Sequence, residues 1–90
     1  MTLRPTKSKE EFVADERAAE RKVVEAEFAL RKAELTNDPK VIAKAQKAVA
    51  DTRTKSLQIR AEMTEGLAAW HAYDSEQELA RTARELGIAP

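Results

Sequence analysis

The chain reads as an all-α protein, a long antiparallel helical hairpin of coiled-coil type with a short C-terminal helix. Three observations predict this. Charged residues make up 36% of the 90 positions and aromatics 4%, with only two glycines, a balance that suits long helices rather than sheets. Apolar residues recur at alternating spacings of three and four, and nowhere in the two-residue period of a strand. One strong breaker, Thr36-Asn37-Asp38-Pro39, separates two periodic stretches.

Residues 1–7 carry no periodicity and are expected to form a flexible N-terminal segment before a single helical domain, 8–90. Ser8 followed by Glu11 is a capping box: the hydroxyl accepts from the Glu11 amide and the carboxylate returns to the Ser8 amide. Helix 1 is therefore expected over about 8–36. Its seam runs Phe12, Ala19, Val23, Ala26, Leu30 and Ala33, interrupted at Glu16.

Pro39 is poor inside a helix but favoured as its first residue, and Asp38 before it is a good N-cap. Helix 2 is expected over about 39–73, with a continuous seam of Ile42, Ala45, Val49, Thr52, Ser56, Ile59, Met63, Gly66, Trp70 and Tyr73. Two seams joined by a tight turn must face each other antiparallel, with arms about 40 Å long. Glu20 and Glu27 beside the first seam then meet Arg53 and Arg60 beside the second, and Lys22 approaches Lys55. Gly66 is expected to loosen helix 2. Asp74 or Ser75 marks a new start, and helix 3, about 75–86, ends with Gly87 as a left-handed cap and Ile88 folding back.

The absence of cysteine excludes disulfides and thiolate chemistry and suits a reducing compartment. No segment approaches the roughly 18 apolar residues of a membrane span, and the N-terminus has no signal-peptide core. A soluble cytoplasmic protein is expected. One histidine and no Gly-rich phosphate loop leave little for catalysis, so no enzymatic activity and no cofactor are expected. His71 with Asp74 and Glu78 is too sparse a ligand set to suggest a metal site.

Three features point to binding. A second apolar stripe, Val13, Val24, Phe28 and Leu35, lies about 130° around helix 1 from its seam. Helix 3 folding back would cover it; otherwise Val24, Phe28 and Leu35 form a subunit interface. Trp70 and Tyr73 sit with His71 in one aromatic patch, which either closes the open end of the hairpin or anchors a partner.

The third feature is charge blocking. The net charge is zero, yet residues 39–60 hold six Lys/Arg against one acid, while residues 61–90 hold two against six. Lys40, Lys44, Lys47 and Lys55 are candidate contacts for an anionic partner: either the acidic segment of another copy or, less in keeping with the neutral charge, nucleic acid. The segment Ala80–Ile88 resembles the first helix and turn of helix-turn-helix DNA-binding domains, but the sequence ends at Pro90 where a recognition helix would follow. In outline the hairpin also resembles the small dimeric hairpin proteins whose turn carries Trp-x-Gly. Here the turn reads Thr36-Asn37-Asp38-Pro39 and Trp70 lies elsewhere, so the likeness is one of shape alone.

The expected function is that of a non-catalytic structural or adaptor protein acting by helix-helix self-association, or a small subunit of a larger assembly. The competing expectation is a binding module or inhibitor with a heterologous partner, a protein or nucleic acid bound through segment 40–60.

Overall fold

The computed structural model describes residues 2–88 and contains two helices, α1 (Lys9–Leu35) and α2 (Pro39–Glu85). They pack as an antiparallel hairpin within an extended body of 74 × 15 × 14 Å. Among the described residues there is no strand, and no helix is long and apolar enough to cross a membrane.

Each helix end has its own chemical cause. Ser8 Oγ accepts from the Glu11 amide at 3.1 Å, as the capping box requires, but the Glu11 carboxylate takes the Ser8 hydroxyl (3.2 Å) rather than the expected Ser8 amide. At the turn, Asn37 adopts φ 55°, a left-handed conformation that asparagine tolerates better than most residues. Asp38 then accepts from the Lys40 amide at 3.0 Å. The distal end of α2 is closed as expected. Gly87 lies at φ 71°, its amide reaches Arg84 O and that of Ile88 reaches Ala83 O at 2.8 Å, the paired bonds of a Schellman cap.

The seam is also as expected. Ala19, Ala26, Ala33, Val49 and Ser56 are buried, and Phe12, Val23, Leu30, Ile42, Ile59, Met63, Trp70 and Tyr73 are half-buried along the same line. The Thr52 hydroxyl donates back to Ala48 O and Val49 O within α2, so this polar seam residue needs no partner on α1. Small residues at the buried positions let the helices approach closely, and no large side chain among the described residues is fully buried.

Two expectations are corrected. Gly66 does not loosen α2. The Phe12 ring lies where a Cβ at this position would be, so the missing side chain provides the space that the first seam residue of α1 fills. Nor does a separate third helix begin near Ser75: α2 runs unbroken for 47 residues. Asp74 offers no cap because its carboxylate is held by Lys9 Nζ at 2.6 Å. Backbone bonds along a continuous helix outweigh a local start signal when no residue such as proline prevents propagation. In consequence, no third helix folds back over the second apolar stripe among the described residues, and the end of α2 projects beyond α1.

Candidate interaction surface

Ion pairs join the two helices at matching levels across the hairpin. Arg53 Nη2 lies 2.8 Å from Glu27 Oε1, and Arg60 Nη2 lies 3.2 Å from Glu20 Oε1 and 3.6 Å from Glu16 Oε1. Glu20, Glu27, Arg53 and Arg60 thus flank the seam as the sequence predicts. The Glu16 side chain is only 14% exposed. Its hydrogen bond to Glu20 raises its pKa above the ordinary glutamate value; partial desolvation and the charge of Glu20 add to this, and Arg60 opposes it. Ionising Glu16 therefore works against folding. Its stabilising contribution is present below the pKa of the unfolded chain and is lost as pH rises through the raised value.

These ion pairs lie on one flat face of the hairpin. Val24 of α1 and Leu57 of α2 lie between them in a shallow groove with Val23 and Ser56. Val24 is 48% exposed and Leu57 64%. Phe28 and Leu35 occupy the outer edge of α1 and are exposed, with the Arg31 guanidinium 6.0 Å from the Phe28 ring centre. The structure thus places Val24 on the flat face and Phe28 and Leu35 at its rim. Leu57, a flank position in a helix whose seam dominates the pattern, was not among the residues singled out from sequence. Stepping one heptad further along each helix from the Glu20–Arg60 pair brings half-buried Val13 level with half-buried Leu67.

The opposite face differs in charge pattern. Lys22 and Lys55 line one groove together, as expected, and Asp15 and Glu62 lie in the same groove one heptad away, with Asp51 and Gln58. Like charges thus sit level across this side of the hairpin. Lys7 relieves the acidic pair by bonding to Asp15, and that bond raises the Lys7 pKa; desolvation opposes the rise, and the charges of Asp15, Glu62 and Glu11 add to it.

The four lysines proposed as anionic-partner contacts are all exposed and share one stripe of the continuous α2, interrupted by Asp51 between Lys47 and Lys55. Asp51 and Lys55 also line the groove that holds Lys22. The basic block is also diluted by α1. Between residues 25 and 50, the turn half of the hairpin, five cations stand against four carboxylates.

At the open end Trp70 and Tyr73 are half-buried and meet edge to face, with ring centres 5.9 Å apart. The indole N–H donates to Lys7 O at 2.8 Å, Arg4 lies 5.8 Å from the Trp70 ring centre, and the Thr2 amide donates to Glu76 at 2.8 Å. The Thr2 bonds hold the Glu76 carboxyl below its ordinary pKa. Residues 2–7 thus lie along α2 beyond the start of α1. Trp70 and Tyr73 close the open end of the hairpin, one of the two roles expected for them; His71 is exposed beside them. Comparison with protein-family models, curated proteins and solved structures gives no match.

Proposed function

We propose that this protein is a non-catalytic structural or adaptor protein that acts by helix-helix self-association, either alone or as a small subunit of a larger assembly, in a reducing compartment such as the cytoplasm. One observation carries this reading. The hairpin buries three alanines, a valine and a serine, while Val24, Phe28, Leu35 and Leu57 stay exposed on one side and its edge. At about 25 cal/mol per Å² of apolar surface buried, a core of small residues contributes little, and a chain of this length is marginal alone. Covering the Val24–Leu57 groove supplies the missing area.

The alternative, a module acting on a heterologous target, draws less support. A nucleic acid would require a continuous basic track, and Asp51 interrupts the lysine stripe of segment 40–60 while the carboxylates of α1 dilute its charge. The discriminating measurement is the absolute mass in solution by light scattering, across concentration and at low and high salt. The expected result is an oligomer in both salts, reduced to a helical monomer by Leu57→Asp and weakened by Phe28→Asp. A wild-type monomer at all concentrations overturns the proposal and directs attention to a foreign partner.

A further inference from the structure

Resting on the self-association just proposed, the geometry points to one arrangement of the pair. We infer that a second copy docks on the Val24–Leu57 face about a two-fold axis parallel to the long axis of the hairpin. Helix α1 of each copy then lies over α2 of the other, and both turns sit at the same end.

Charge and shape match on a single face. The acids that flank the groove, Glu20 and Glu27, are both on α1, and the cations they meet, Arg53 and Arg60, are both on α2, at matching levels. Superposing α1 on α2 of a second copy without axial shift places each glutamate opposite the equivalent arginine again. The same operation sets Val24 against Leu57 and Val13 against Leu67. The ion pairs of the two hairpins thereby close into four-charge clusters around an apolar centre. The other simple two-fold, perpendicular to the long axis, lays α1 on α1 and opposes Glu20 to Glu27 and Arg60 to Arg53. Such like-charge juxtapositions are a recognised means of rejecting a wrong partner or orientation.

The opposite face does not support the inferred arrangement. There the parallel operation would put Lys22 over Lys55 and Asp15 over Glu62, residues that already lie level within one hairpin. Under the parallel operation only the Val24–Leu57 face is self-complementary; a perpendicular two-fold on the opposite face would set Lys22 against Asp15 and Lys55 against Glu62, and the exposed Val24 and Leu57 favour the first face. Its size is adequate: about 40 Å of paired helix, with a body 15 Å wide, offers about 600 Å² per copy, or about 1,200 Å² in the pair, at the lower bound for specific interfaces.

Because the chain has no cysteine, a spin label at Lys40→Cys, exposed and at the turn end, gives a clean distance by pulsed electron paramagnetic resonance. With helices about 10 Å apart, the parallel pair predicts a label separation of about 25–35 Å. The perpendicular two-fold, centred on Val24 and Leu57, predicts about 50 Å at 1.5 Å per residue. Two charge variants test the face itself: Glu20→Arg with Glu27→Arg, and Arg53→Glu with Arg60→Glu. Each alone is expected to lose self-association, and mixing them is expected to restore a mixed pair. A dimer with the longer distance overturns the orientation and leaves self-association standing. Dimers unchanged in both charge variants, or no recovery on mixing, overturn the face. A wild-type monomer overturns the underlying proposal as well.

Discussion

At the scale of single residues, Gly66 is the position where local propensity and packing disagree most clearly. Alanine in its place would favour the helix by about 1 kcal/mol, but the added methyl would collide with the Phe12 ring. Overpacking of this kind costs about 1–3 kcal/mol. Gly66→Ala is therefore expected to lower stability by up to about 2 kcal/mol, measured by urea denaturation followed by circular dichroism. A stabilised variant would show that Phe12 moves aside freely. The periodic pattern placed Gly66 in the seam, yet a glycine in a helix is read as a weak point when its neighbour across the seam is unknown. Leu57 was overlooked for a related reason: one leucine among threonine, lysine, serine, glutamine and arginine belongs to no stripe on its own helix. It gains significance only beside Val24, which lies on the other helix.

At the scale of elements, the two helices differ in what holds them. Helix α1 is flanked by α2 over its whole length, whereas α2 continues past α1 and is accompanied there first by residues 2–7. Beyond Glu76, the position reached by Thr2, the helix rests on its own bonds, on Arg81 with Glu78 and Glu85, and on the Schellman cap. Exposed intrahelical ion pairs contribute only about 0.3–0.5 kcal/mol each, and Leu79 and Leu86 remain about 70% exposed. Ending the chain after Gln77 is therefore expected to remove helical signal in proportion to the residues lost and to shift the thermal midpoint little. Amide hydrogen exchange should also find this segment the least protected part of α2. Collapse of the remaining hairpin would show that the projecting turns stabilise the rest. The seams, the turn and all three caps were legible in the sequence because each is a local pattern. The continuity of α2 was not, because a start signal at Asp74 reads the same whether its carboxylate caps a helix or binds Lys9.

At the scale of the whole molecule, a rod 74 Å long and about 15 Å across exposes most of its surface, and its thin core implies modest stability as a monomer. Association would add stability by mass action. The thermal midpoint is therefore expected to rise with protein concentration, and Leu57→Asp to abolish that rise. A midpoint independent of concentration, alongside a monomeric mass, would place the apolar face in the service of another molecule. The charge blocks look different at this scale. In sequence the basic block of residues 39–60 suggests pairing of turn ends with acidic open ends. In the folded hairpin α1 lays its own carboxylates beside those cations, and the complementarity that remains lies across the face rather than along the rod.

The sequence by itself determined what depends on neighbours along the chain. It established the two arms of the hairpin, their seams, the Thr36–Pro39 turn, the Ser8, Asp38 and Gly87 caps, and the glutamates and arginines that flank the seams. Only the tertiary structure decided what depends on residues brought together across the hairpin. It showed that Gly66 receives Phe12, that Asp74 binds Lys9 instead of starting a helix, that residues 2–7 lie along α2, and that Val24 and Leu57 share one uncovered groove. Periodicity specifies the direction in which a side chain points from its own helix axis. What it meets there is set by a second helix whose exact level and rotation no pattern on the first can specify.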